Sequence, residues 1–164
     1  MQPFQGRRTL VVGLGNPVLS DDGVGPHVVR HLHAELAERE DVTVELCCRG
    51  GLQLMEAMIG YDRAIVVDAL RTDAPPGTVQ CLGLGDLPTR NSASSHDVSL
   101  PVALDVGRAA GASLPASDDV LLVGVEVSDV ETFGEACTPL VRAAIPRAAA
   151  TVLDALTPTE ERGP

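Results

Sequence analysis

Apolar residues recur along the chain with two different periods. Arg8 to Gly13 (RTLVVG) is a short apolar run suited to a buried strand, and Val24, Val28, Leu32 and Leu36, with Val29 beside them, recur at helical spacing. Pro26 fits within the first turn of that helix, where its missing N–H has no intrahelical partner in any case. VTVELC, from Val42 to Cys47, alternates as a second strand, and Gly50-Gly51 opens a short helix through LQLMEAMI. Ala64-Ile65-Val66-Val67 reads as a third strand, continuously apolar and ending at Asp68. TVQCLGL, flanked by Pro75-Pro76-Gly77, is a further strand whose proline-rich turns suit an antiparallel edge. Val98 to Ala110 reads as a helix despite Pro101, VLLVGVEV from Val120 to Val127 as a central strand, and Pro139 to Leu156 as a closing helix interrupted by Pro146.

Strands alternating with helices fold as a three-layer α/β structure, an open, mostly parallel sheet with helices on both faces. The chain shows no internal repeat, linker or low-complexity tract, so residues 1–164 are expected to form one domain, with the tail TPTEERGP (157–164) frayed. Such sheets bind ligands at the carboxyl ends of their strands. The segments after Gly13, Cys48 and Val67, together with the polar loop TRNSASSHD, are therefore where chemistry belongs.

Composition narrows the choice of ligand. With 45% hydrophobic but only 2% aromatic residues, the core must be built from Val, Leu, Ile and Ala, which suits covered parallel strands. A net charge of −11 argues against nucleic acid and against an anionic membrane surface. No apolar run reaches the roughly 18 residues of a membrane span, and the N-terminal apolar run is too short for a secretory signal, so the protein reads as cytoplasmic. Cys47, Cys48, Cys81 and Cys137 lack C-x-x-C spacing and read as reduced core residues rather than a thiolate metal site.

GLGNPVLSDDGVG, from Gly13 to Gly25, sits between a strand and a helix, where a nucleotide-binding protein keeps its phosphate loop. The third glycine of a dinucleotide fingerprint would fall at position 18, and Val18 is there instead. Asp21 and Asp22 occupy the positive end of the helix, which repels phosphate and offers two ligands to a cation. That weighs against a flavodoxin-like nucleotide binder.

Three side chains satisfy the strand-end rule: Asp22 in the first loop, Asp68 at the end of AIVVDAL, and His96 in SSHD. Two carboxylates and an imidazole can hold a divalent cation and leave positions open for water or substrate. The structural alternatives are that Asp22 caps a helix and that His96 is an ordinary loop residue. Asp68 is harder to explain that way, because a carboxylate ending a buried strand needs a partner. His27 and His31, four apart on one helix, can chelate on one face but have no H-E-x-x-H context and read as a solvated face. Asn16 and Pro17 are expected to shape the first loop, and Gly50-Gly51 to permit close backbone approach or a positive φ.

Taken in order, VVGLGNPVLSDDGVG, RGG, IVVDAL, PGTV, SSHDVSL and LLVGVEV resemble the hydrogenase maturation endopeptidase family over Leu10 to Leu156. The resemblance implies a processing enzyme that removes a C-terminal extension from the large-subunit precursor of a nickel-iron hydrogenase once nickel is in place. It places Asp22, Asp68 and His96 on the family's metal-binding positions. The Ni2+ is expected to arrive with the precursor, although Zn2+ or another divalent ion suits the same donors. The resemblance implies no obvious serine or cysteine nucleophile, and this chain likewise has no G-x-S-x-G elbow; Asp22 and Asp68 are the candidate catalytic groups. Asn16, Arg49, Gly50 and Gly51 are the candidate substrate contacts. In one respect the chain departs from the family: an acidic residue usually precedes the paired glycines, whereas here Arg49 does, near enough to the strand ends to pair with a precursor acid or with Asp22 or Asp68. The alternative reading is a non-catalytic nickel-checking or assembly factor that binds the same centre without cutting.

Overall fold

The computed structural model describes residues 6–87 and 98–157. Five strands form one sheet in the order β2-β1-β3-β5-β4, with β1 at Thr9–Leu14, β2 at Val42–Cys47, β3 at Arg63–Leu70, β4 at Val79–Gly83 and β5 at Val120–Glu126. β1 pairs in parallel with β2 and β3, and β3 with β5, while β4 runs antiparallel along the edge of β5. The mostly parallel sheet and its antiparallel edge are those read from the sequence.

Helices cover both faces. α1 (Val24–Leu36) and α4 (Pro139–Leu156) bury Val28, Leu32, Val141 and Ala148 against Val11, Ile65, Val67 and Val123. α2 (Gly51–Ala57) and α3 (Leu100–Ala109) bury Leu54, Met55 and Leu104 against Leu10, Val12, Ala64 and Val66. Alternation along β3 thus sends Ile65 and Val67 to one layer and Ala64 and Val66 to the other. No helix among the described residues is long and apolar enough to cross a membrane.

The order β2-β1-β3 puts a topological switch point between β1 and β3, because the chain leaves β1 toward one side of the sheet and returns to β3 on the other. α1 can close down on that point only because Gly25 has no side chain. A Cβ there would run into the backbone carbonyls of Val67 and Leu14. A Cβ on Gly13 would likewise meet the Gly25 carbonyl at 2.7 Å. The glycines of the first loop thus serve helix-to-sheet contact, which explains why they resemble a phosphate loop without its spacing.

Three expectations need correction. β3 does not end at Asp68 but continues to Leu70, because β5 goes on pairing with it through Ala69–Val125 and Leu70–Glu126 after β1 has stopped. Pro146 does not interrupt α4, which is continuous. Its ring is exposed, and the helix is held by the buried face of Val141, Ala144, Ala148 and Val152. Only two of the four cysteines belong to the core: Cys47 and Cys137 are buried and Cys48 and Cys81 are exposed. The tail from residue 158 onward lies outside the described residues.

The close approach of α1 yields a stability test. Gly25→Ala should cost more than about 3 kcal/mol by urea denaturation, whereas Gly85→Ala, where an added Cβ meets nothing within 4 Å, should stay within about 0.5 kcal/mol.

Candidate active site

The first loop leaves β1 at Leu14, passes Asn16 and Pro17, and enters a 3-10 turn, Ser20–Gly23, that leads straight into α1. Ser20 lies at φ 47, in the left-handed region that a non-glycine residue rarely adopts. Something must hold the turn in place, and Asp21 does so. Its side chain is 0% exposed. One carboxylate oxygen accepts from Thr138 N–H at 2.6 Å, and the other accepts from Ser128 N–H at 3.1 Å, Asp129 N–H at 3.0 Å and the Thr138 hydroxyl at 2.9 Å. The Asp21 N–H donates in turn to the Asp129 carbonyl at 2.9 Å. Burial by itself would push this carboxyl's pKa up, but the N–H donors of Asp129, Thr138 and Ser128 outweigh it and hold the pKa below the usual value.

The aspartate doublet is therefore divided. Asp21 is fully occupied inside the protein, so only Asp22 can serve as a ligand, and the sequence expectation of two ligands at this helix start is corrected. Nor does Asp22 cap α1, since Gly23 is the N-cap residue and no side chain bonds there. Instead its Oδ2 accepts from the Asn16 N–H at 2.7 Å. The loop can fold back this tightly because Gly15, at φ +137, presses against the Asp22 carbonyl, where no Cβ would fit. Asn16 is a loop former as well: its Oδ1 accepts from the Val18 N–H at 3.1 Å.

Asp68 lies across the switch point from that loop. It follows Ala64 and Val66 on the face covered by α2 and α3, one residue beyond the last β1 pair, Gly13–Val67. Protein surrounds the carboxylate closely, yet part of its surface still reaches solvent. Its one hydrogen bond among the described residues comes from the next amide, Ala69 N–H, at 2.8 Å. Burial raises its pKa to about 8; the Ala69 amide opposes the rise, and the nearby charge of Asp22 adds to it. Asp22 and Asp68 are thus close enough to feel each other, and neither is neutralised by an ion pair among the described residues.

His96, the third candidate, lies outside the described residues. Val98, two positions later in the chain, packs on Gly51, whose added Cβ would meet the Val98 carbonyl at 2.7 Å. Gly50 and Gly51 form the corner between β2 and α2, beside the β1 end where Leu14 pairs with Cys47. Arg49 is exposed at that corner, and no ion pair joins it to Asp22 or Asp68, so that part of the expectation does not hold. Among the described residues no three His, Cys, Asp or Glu side chains are placed to hold a metal ion together. His31 is exposed as expected, but His27 is half-buried, and its Nε2–H donates to the Glu135 carbonyl at 2.8 Å.

Residues 26–155 match the hydrogenase maturation protease family. The chain belongs to that family. It is 31% identical over 152 residues to the hydrogenase 2 maturation protease of Escherichia coli K12, covering 91% of this chain and 90% of that one. It is 29% identical over 149 residues to the hydrogenase expression/formation protein HupD of Rhizobium leguminosarum, covering 91% of this chain and 74% of the relative. Among solved structures, the hydrogenase maturating endopeptidase HybD of E. coli superposes with a TM-score of 0.74 at 30% identity, covering 91% of each chain. Membership in a protease family supports an endopeptidase over a non-catalytic assembly factor.

For this maturation protease, sequence reasoning missed the structural role of Asp21 and its partners Ser128 and Thr138. The only available signal was the doublet itself, since two adjacent acids in a tight turn cannot both face the same way.

Two measurements follow from this pair of aspartates. Asp21→Ala removes the buried carboxylate that three part-buried amides share and should cost about 2–4 kcal/mol in urea denaturation. Asp68 should show the opposite behaviour. Its pKa of about 8 in the folded protein exceeds the ordinary 3.8, so the native state holds an extra proton between those values and stability falls as pH rises through them. Asp68→Asn removes that slope, and its stability advantage over wild type should grow by on the order of 2 kcal/mol between pH 5 and pH 8. Parallel stability profiles for the two proteins would show that burial of Asp68 carries no such penalty.

Proposed function

We propose that this protease removes the C-terminal extension of a nickel-iron hydrogenase large-subunit precursor after nickel insertion, and that Asp22, Asp68 and His96 grip the nickel as part of the substrate. The observation that carries this reading is Asp68. A carboxylate at the switch point, bonded among the described residues to its own neighbour's amide and facing a second carboxylate, is costly to ionise until a cation arrives. A divalent ion supplies the missing charge. Burial favours the protonated form of Asp68 in the empty site, and arrival of the ion displaces that proton, so the side chain becomes a ligand when the ion is delivered.

His96 is the natural third donor. Its chain neighbour Val98 lies against Gly51, at the strand-end corner beside the first loop. Hard carboxylate oxygens hold a late first-row ion less firmly than thiolates do, which favours an ion that stays with its precursor and is inspected there. Contact with the three side chains completes its coordination sphere, and the ion polarises the scissile carbonyl or a water. Because this contact exists only when the precursor is loaded, cleavage becomes conditional on insertion. Arg49, exposed at the neighbouring β2–α2 corner, meets an acidic group of the precursor in this reading.

The test uses metal-free protease with nickel-loaded and nickel-free precursor, each large subunit being weighed by mass spectrometry. Only the loaded precursor should lose its extension, and Asp22→Asn, Asp68→Asn and His96→Ala should each slow the cut by about 100-fold or more. Equal cutting of both precursors would sink the proposal and point to a protease carrying its own ion.

A further inference from the structure

The first loop has a second side. While Asn16 and Asp22 face the switch point, Val18 lies along a surface cleft of about 460 Å³ whose other walls come from α1, α4 and the segment that joins β5 to α4. Val18 and Ile145 give the cleft apolar surface, and Arg30 of α1 and Arg142 of α4 give it two guanidinium groups. Both arginines are exposed. The ion pairs among the described residues are made by Arg7, Arg39 and Arg108, so neither cleft arginine is neutralised there. Among the described residues, Glu135 is the one carboxylate lining the cleft. Its backbone carbonyl is held by His27, whose Nε2 must carry the proton, because a carbonyl can only accept.

On a chain with 12 basic and 23 acidic residues, two guanidiniums that make no ion pair among the described residues form, beside apolar surface, a local reversal of sign. Arginine pairs with carboxylates through two parallel hydrogen bonds, so the complementary group is an acidic side chain or an acidic stretch of chain. The segment that supplies Glu135 to the cleft also carries an exposed aromatic residue, two positions earlier in the chain. Phe133, one of only two phenylalanines, is 84% exposed. It is tethered to the same loop through Gly134, whose N–H donates to the Val18 carbonyl at 2.9 Å and whose carbonyl accepts from the Ser20 N–H at 2.9 Å. Aromatic and arginine side chains that no fold contact requires are the groups that dominate protein interfaces.

We infer that this cleft is a docking site for an acidic, partly apolar segment of the precursor, distinct from the Asp22 and Asp68 pair and on the other side of the loop that carries Asp22. The inference rests on the proposed function for the identity of the partner. It assigns the cleft to binding: docking there raises the local concentration of the scissile region without touching the reacting atoms.

The experiment separates the two readings. Cleavage rates are measured against concentration of purified nickel-loaded precursor for wild type and for Arg30→Glu/Arg142→Glu, with Arg30→Ala/Arg142→Ala as a milder pair and thermal melting as the folding control. Affinity is measured by calorimetry, at low and at moderate salt, for Asp68→Asn with and without the arginine changes. Charge reversal should raise KM about tenfold or more while kcat stays within about twofold, and the salt dependence of Kd should weaken. Phe133→Ser should raise KM in the same direction. An unchanged KM and Kd in both arginine pairs overturns the inference, as does a loss confined to kcat, or failure of the precursor to bind the protease at all. If nickel-loaded and nickel-free precursor are cut equally, the nickel reading fails, but the KM and Kd comparison still decides the cleft.

Discussion

The carboxylate of Asp21, sealed from water, is the tie on which the working end of this protein depends. It receives hydrogen bonds from Ser128, Asp129 and Thr138, which lie more than a hundred positions away in the chain, and so joins the first loop to the exit of β5 and the entry of α4. A bare buried carboxylate would be expelled or neutralised. This one remains charged because several N–H and O–H donors converge on two oxygens, and the net effect lowers its pKa. The strained Ser20 backbone and the tight 3-10 turn persist because this tie over-determines them.

With Asp21 turned inward, its neighbour Asp22 is delivered to the switch point between β1 and β3. There it meets a carboxylate in the opposite condition. Asp68 is closely surrounded by protein but accepts a single amide N–H among the described residues, and its pKa rises to about 8 rather than falling. Burial pushes both carboxyls up; at Asp21 several N–H donors outweigh it, whereas at Asp68 one amide does not and the charge of Asp22 adds to the rise. One aspartate stabilises the fold, and the other leaves an electrostatic debt that a cation can cancel. A protein retains such a group where function requires it and compensates through packing elsewhere.

The same loop also joins two surfaces. Asn16 and Asp22 belong to the switch point and Val18 to the arginine-lined cleft, while the Gly134 backbone pairs with Val18 and Ser20 between them. The glycines permit this economy. Gly15 lets the loop fold back on Asp22, and Gly25 lets α1 press onto the sheet, at distances that any side chain would forbid, and so both surfaces are set by one segment.

Much of this was legible in the linear chain. Hydrophobic period alone separated the strands from the helices, because burial on one face imposes period 2 on a strand and 3.6 on a helix wherever the segment folds. The strand-end rule led to Asp22 and Asp68 because a parallel sheet gathers its loops at one rim. Other features depended on partners that no local pattern contains. Whether Asp21 or Asp22 faced inward was decided by the amides of Ser128, Asp129 and Thr138, and the length of β3 beyond Asp68 by continued pairing with β5. The continuity of α4 through Pro146 was decided by the buried face on its far side, and the sharing of one cleft by Arg30 and Arg142 by the packing of α1 beside α4. Periodicity is a property of a segment and survives in the sequence, whereas the state of a charge or a helix end is a property of what is packed against it, and that exists only once the chain has folded.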